Sequence, residues 1–459
     1  MHHIIIGAGP AGVIAAETIR KHAPTDDITL IGDEKEAPYS RMAIPYLLVG
    51  NIAEQGTHLR KSASHFQDLK IKVVNALVKS VDSAAKKVAL SDGQSLQYDR
   101  LLIATGSTPM RPPIPGMDLP GIYSCWTLAD ARAIMDKVKP GSRVLQMGAG
   151  FIGCIIMEAL AARIETHKTG KLSVVEMGDR MVPRMMGPTA GGMIRDWCEA
   201  KGVEVFTGTR VEAIEQQGAT EVGLVEKLAS AIGFKKEKPQ LSALRVRLSN
   251  GKHLDCDLVI SAAGVKPAIG FLENSGITCL LGVLTDEHLQ TNVPGIYAAG
   301  DCCEAFDKVS GKTIVSAIQP NAAEQARVAA LNMVAFARGT APGAELKGVT
   351  QINVLDTLGL ISSSFGDWQG QPGGEHVELT DKAAGRHLSL QFKDDVLVGC
   401  NSVGWTEHVG VMRGLVEGQV RLGEWKETLK NDPTKLMEAY LASAQAQGTW
   451  SGAQDARRR

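Results

Sequence analysis

Two glycine clusters of identical spacing are the residues of this chain best suited to chemistry. Gly7-Ala8-Gly9-Pro10-Ala11-Gly12 follows the apolar stretch His3-Ile4-Ile5-Ile6, and Gly148-Ala149-Gly150-Phe151-Ile152-Gly153 follows Arg143-Val144-Leu145-Gln146-Met147. In such a turn the first glycine makes the bend, the second lets backbone approach a pyrophosphate, and the third lets a helix pack on its strand. The pyrophosphate then sits on the helix N-terminus, where free amides and the helix dipole favour an anion. Two such motifs in one chain imply two dinucleotides.

Each cluster is followed by a carboxylate just past the next strand. Asp33 and Glu34 come after Ile28-Thr29-Leu30-Ile31, where an acid hydrogen-bonds a ribose 2′-hydroxyl. Glu176 closes Leu172-Ser173-Val174-Val175; an acid there accepts from both ribose hydroxyls and repels a 2′-phosphate, which favours NADH over NADPH. Arg180 and Arg184 lie just beyond, either within reach of adenosine phosphates or as solvated charges. Two buried-strand patterns end in small residues that allow close backbone approach, Ala104-Thr105-Gly106 and Ala262-Ala263-Gly264. Gly300-Asp301 ends Ile296-Tyr297-Ala298-Ala299 and poises an acid to meet a ligand hydroxyl. A helix over 321–337, preceded by Gln319-Pro320, turns its positive end toward an anion.

The remaining composition excludes several functions. The 49 basic and 50 acidic residues leave a net charge of −1, so neither nucleic acid nor an anionic membrane is an expected partner. No apolar run reaches the ~18 residues of a membrane helix, and the first glycine cluster starts at residue 7, so the expected location is the cytoplasm. Eight cysteines show neither CxxC nor zinc-ligand spacing, and no metal site is expected. Cys302-Cys303 reads as two core thiols, because no cationic neighbour in the sequence favours a thiolate.

A chain of 459 residues holds about three domains on a length prior. Short strands over 71–74 and 76–81 and a hairpin around Asp92-Gly93 fill the first, which closes at the proline-rich linker Pro109 to Gly116. In the second, a hairpin turns at Asn250-Gly251, and an excursion over 216–240 carries an amphipathic helix at 222–232 and the basic cluster Lys235, Lys236 and Lys238. Beyond residue 330 the strand patterns 351–355, 359–363, 388–392 and 396–399 and helices over 409–416 and 433–446 predict an antiparallel sheet with helices, usually a cover or a dimer surface.

In order and content these motifs resemble the FAD- and NAD(P)-dependent pyridine nucleotide-disulfide oxidoreductases, over residues 1–330. The resemblance implies an α/β fold: two Rossmann-like domains of glutathione-reductase type plus a C-terminal α+β interface domain. Residues 1–115 with 268–330 would bind FAD, 116–267 NAD, and 331–459 would form the interface, with a homodimer as one outcome. It further implies that Gly7, Gly9, Pro10, Ala11, Gly12, Asp33 or Glu34, Arg41, Val78, Ala104, Thr105, Gly106, Gly300, Asp301, Gln319 and Asn321 serve FAD. Asp301 would hold the ribityl chain, and the helix near Asn321 would stabilise charge on reduced flavin. Gly148, Gly150, Phe151, Ile152, Gly153, Glu176 and Gly264 would hold NAD.

The segment Pro38-Tyr39-Ser40-Arg41 is similar to the branch with ferredoxin and rubredoxin reductases, the nitrite reductase large subunit and the apoptosis-inducing factor. The departures are informative. The CxxxxC pair of the disulfide branch is absent, and Met42 stands where the peroxidase branch has its cysteine. Pro45-Tyr46 replaces a Ser-Lys pair, and Ile155 replaces the glutamate that follows the NAD motif. The expectation is therefore an FAD enzyme that takes hydride from NADH, with Tyr46 and Arg41 lining the flavin. Its electrons would pass without a thiol relay to a small iron-sulfur or rubredoxin-type protein. The alternatives are an NADH oxidase or reductase of quinones or other small molecules, and a flavin-binding protein whose redox state controls association.

Overall fold

The computed structural model describes residues 1–139, 141–167, 170–217, 243–307, 309–341, 343–349 and 351–443. The expected helix at 222–232, the three lysines after it and the end of the helix at 433–446 lie outside the described residues.

Both glycine clusters leave the central strand of a five-stranded parallel sheet. In the first sheet the order is Ile296–Ala298, Arg100–Ile103, His2–Ile6, Asp27–Gly32, Ile71–Asn75. In the second it is Ile122–Tyr123, Leu258–Ser261, Arg143–Met147, Lys171–Val175, Glu204–Phe206. Four strands of each follow the same order; the edge strand beside the return strand comes last in sequence in the first sheet, Ile296–Ala298, and first in the second, Ile122–Tyr123. In each, the chain leaves the central strand to one side and later returns on the other, which opens a crevice at the strands' C-terminal ends. Each sheet also carries a three-stranded antiparallel meander between its outer strand and its return strand, Val78–Asp82 to Ser95–Gln97 in one and Val211–Gln216 to His253–Cys256 in the other.

Central strands covered on both faces need uninterrupted apolar side chains, and Ile4, Ile5, Leu101, Leu102, Val259 and Ile260 are fully buried. The helices Pro10–His22 and Gln319–Ala337 pack together on the first sheet. The helix Gln319–Ala337 starts two residues before the expected 321, with Pro320 in its first turn.

The chain crosses between the halves twice, and the crossings pair: Ser107–Pro109 runs antiparallel to Val265–Pro267. The expected proline linker thus begins as a strand. Arg132, on the helix Leu128–Lys137 of the second half, donates to Glu54 and Glu36 of the first, and Arg163 donates to the Leu48 carbonyl.

The last sheet is antiparallel, in the order Ile352–Thr357, Leu360–Gly366, Val396–Val403, Arg386–Lys393, Glu375–Asp381. The edge strand Glu375–Asp381 was not expected; six of its seven residues are exposed, and its alternating apolar signal is only two residues long, Val377 and Leu379. The helix Trp425–Asn431 was also missed. Asn401 ties this sheet to the second half, accepting from the Gly187 amide at 2.9 Å and donating to the Met185 carbonyl at 2.8 Å. Among the described residues no helix is long and apolar enough to cross a membrane.

Candidate functional site

A cleft opens at the C-terminal ends of the first sheet. Its floor is the first glycine turn, with Gly7, Gly9, Pro10 and Ala11 on the lining and Gly12 packed behind. The backbone there leaves no room for side chains. A Cβ on Gly7, whose φ is +115°, would lie 2.0 Å from the Ala104 carbonyl oxygen, and one on Gly12 would lie 1.8 Å from that of Gly7. A Cβ on Gly9 would meet nothing within 4 Å beyond its chain neighbours, so the start of the helix Pro10–His22 is open to an anion.

Asp33, Glu34, Arg41, Ala104, Thr105, Gly106, Gly300, Asp301 and Gln319 also line the cleft, as expected. Glu34 is already organised, because the Tyr39 hydroxyl donates to it at 2.6 Å and Arg41 Nη2 at 2.8 Å. Burial, with Glu34 beside it, pushes the Tyr39 phenol up, so it stays a donor. Burial likewise pushes the Asp301 carboxyl up, opposed by the Ser107 hydroxyl, which donates to it at 3.0 Å, and by Arg41. An acid so placed, with one protein hydroxyl on one oxygen, suits hydrogen bonding to a ligand's hydroxyls. Asn321 sits in the first turn of its helix, buried, donating to Ser316 Oγ at 2.7 Å rather than lining the cleft.

Two further expected residues are not brought to the cleft. Tyr46 is 58% exposed and absent from the lining, because the helix Ile44–Val49 turns Ile44, Leu47 and Leu48 inward and Tyr46 outward. Met42 and Pro45 line the wall in its place. Val78 is buried in the core of the first half, paired with Leu90.

The NAD-side residues gather around the second glycine turn. A Cβ on Gly148 would lie 2.4 Å from the Ala262 carbonyl oxygen and one on Gly153 2.5 Å from that of Gly148, while Gly150 is open. Glu176 accepts from the Ala149 amide through Oε2 and from the Gly178 amide through Oε1, both at 2.7 Å. Gly264 accepts from the Met110 amide at 2.8 Å. Arg180 is committed elsewhere, to Asp179 and to the Met186 and Pro183 carbonyls.

The two constellations share a wall. Phe151 and Ile152 begin the helix Phe151–His167 at the second glycine turn, and with Ile155 and Ile156 they line the first cleft. A ligand bound on the second turn would meet the same apolar side chains that line the cleft, which keep water out.

Three residues that sequence reasoning missed hold this site. Gln325, buried in the helix Gln319–Ala337, accepts from the Gly300 amide at 2.8 Å. Gln146, buried in its strand, donates to the Gly148 and Gly153 carbonyls at 2.9 and 2.8 Å. For Gln146 a lone glutamine in an apolar strand was the signal; Gln325, between Glu324 and Arg327, gave none. Trp126 lines the cleft with Arg41 5.1 Å above its ring.

All eight cysteines are free and seven are buried. Burial pushes Cys302 and Cys303 up, so neither favours a thiolate.

The residues present fit the two cofactors the sequence implies: an open turn suited to an anion, with Glu34 and Asp301 as acids on the lining that could accept from ligand hydroxyls on one side, and a second turn with its own acid, Glu176, on the other.

The description "Pyridine nucleotide-disulphide oxidoreductase" matches residues 1–329. Over 97% of its length the chain is 28% identical to the NADH-dependent phenylglyoxylate dehydrogenase subunit epsilon of Aromatoleum evansii, covering 96% of that protein. It is 32% identical to an NADH oxidase of Methanocaldococcus jannaschii, over 72% of this chain and 70% of that one. It is 30% identical to a probable ferredoxin reductase of Castellaniella defragrans, over 72% and 75%.

Proposed function

Because the chain belongs to the pyridine nucleotide-disulphide oxidoreductase family, we propose that it is an FAD-dependent NADH oxidoreductase delivering electrons to a ferredoxin- or rubredoxin-type protein. The carrying observation is the shared wall, on which Phe151 and Ile152 belong to the second glycine turn and to the first cleft at once. FAD held in the cleft would supply hydride acceptance and one-electron delivery, chemistry that side chains lack.

The chain's own work is binding and orientation. The first turn and Arg41 hold the FAD pyrophosphate, Glu34 or Asp33 the adenosine ribose, and Asp301 the ribityl hydroxyls. Glu176 holds the NADH ribose, and the apolar wall of Phe151, Ile152 and Ile155 keeps water from the transfer. Residues 1–115 with 268–330 form the FAD-binding domain, 116–267 the NAD-binding domain and 331–459 the interface domain. The proposal includes action in the cytoplasm and a homodimer through the interface domain; sedimentation as a monomer alone would remove the dimer.

Resemblance to a ferredoxin reductase and the buried thiols support direct delivery to a redox protein. The likeness to an NADH oxidase favours oxygen as a rival acceptor. NADH oxidation with an iron-sulfur protein or rubredoxin is expected to run many-fold faster than with oxygen alone. Equal rates would give the oxidase reading precedence.

A further inference from the structure

We infer that Trp126 is a positioning residue for the FAD site, holding the Arg41 guanidinium in place from the other half of the molecule; the inference rests on FAD binding as proposed above.

Trp126 follows the strand Ile122–Tyr123 of the second sheet, whereas Arg41, Ser107 and Asp301 belong to the first half. Its backbone is fixed by the start of the helix Leu128–Lys137. The Trp126 and Thr127 amides donate to Asp130 Oδ2 at 2.9 and 3.0 Å, and Thr127 Oγ1 accepts from the Asp130 amide at 3.1 Å. The indole then reaches across to the first half. Its Nε1–H donates to the Ser107 carbonyl at 3.2 Å, and the Ser107 hydroxyl donates to Asp301. Over the ring stands Arg41, whose other partner is Glu34.

One side chain thus touches Arg41 and, through Ser107, Asp301. Tryptophan is the strongest aromatic partner for a guanidinium. Without the ring, the hydrogen bond that holds Arg41 among the described residues is the one to Glu34, and that contact draws it toward Glu34 rather than toward an anion on the glycine turn. FAD retention becomes a property of both halves.

The test measures FAD release from the full-length holoprotein on dilution, by recovery of flavin fluorescence. Trp126→Leu is expected to speed release by about 2- to 30-fold, the range of a cation–π contact. In an Arg41→Gln background the same substitution should change release little, since its partner is gone. Trp126→Phe, which keeps a ring and drops the N–H, should restore most of the retention. An equal effect of Trp126→Leu in both backgrounds, or none in either, would overturn the inference; so would failure of Trp126→Phe to improve on leucine. A parent protein that holds no FAD would overturn the functional reading itself, a different result from FAD held but indifferent to Trp126.

Discussion

Glu176→Gln is the substitution that most directly tests how the second half chooses its nucleotide. The carboxylate accepts from two backbone amides, at Ala149 and Gly178, and is fixed by them at the end of its strand. A glutamine keeps one acceptor oxygen and turns an NH2 toward the other amide, leaving a donor facing a donor. The proposed bond to the NADH ribose would also lose its charge. A hydrogen bond to a charged group contributes about 1.5–3 kcal/mol, so the KM for NADH should rise about 10- to 150-fold. NADPH should respond in the opposite sense. Its 2′-phosphate no longer meets a negative charge, an interaction of about 4 kcal/mol for unit charges 4 Å apart near a protein surface, so preference for NADH narrows from both sides. Stopped-flow flavin reduction with each nucleotide reads both changes, and flavin absorbance before mixing confirms that FAD is retained. An unchanged KM for NADH, or undiminished exclusion of NADPH, would refute the assignment of Glu176 to the ribose.

The buried thiols predict that a Cys302→Ser, Cys303→Ser protein takes up the same number of NADH equivalents as its parent; loss of an equivalent would reveal a thiol redox centre. A thiol reagent should react quickly with Cys279 alone, the one cysteine that is not buried, as counted by mass spectrometry. Asn401→Ala strands the Gly187 amide and Met185 carbonyl that join the last sheet to the second half; it should cost about 2–4 kcal/mol, read as a lower thermal midpoint. Burial opposes the charge on Glu17, but Arg60 and His65 outweigh it and hold its carboxyl below the ordinary 4.5. A lowered folded value gives stability that is present above that pH and lost as pH falls through it. Glu17→Gln should therefore lower the urea midpoint at neutral pH, with the gap to the parent closing in acid; a constant gap would contradict the ion cluster.

Much of this arrangement was legible because the central strands of parallel sheets are buried on both faces. Ile4-Ile5-Ile6 and Leu258-Val259-Ile260 are continuous apolar runs for that reason, and each glycine turn is forced by a neighbouring carbonyl that a Cβ would strike. Edge and surface elements leave no such trace, which is why Glu375–Asp381 went unseen. Tyr46 was placed by motif alignment alone; the helical phase of Ile44, Leu47 and Leu48 turns it outward. Trp126 precedes a recognisable capping box, Thr127 with Asp130, yet that pattern tells where a helix starts and nothing about the cleft its neighbour reaches. Gln325 and Gln146 act on backbone groups distant in sequence or one turn away, contacts that no local pattern encodes.

The central claim is hydride transfer from NADH to one FAD with no further redox centre in the chain. An anaerobic titration of the yellow protein with NADH, and separately with NADPH, followed by flavin absorbance, tests it most directly. Rapid bleaching by one equivalent of NADH, with NADPH much slower, is the predicted result. Uptake of two equivalents would contradict the account by requiring a second centre, and no bleaching would show that NADH is not the donor.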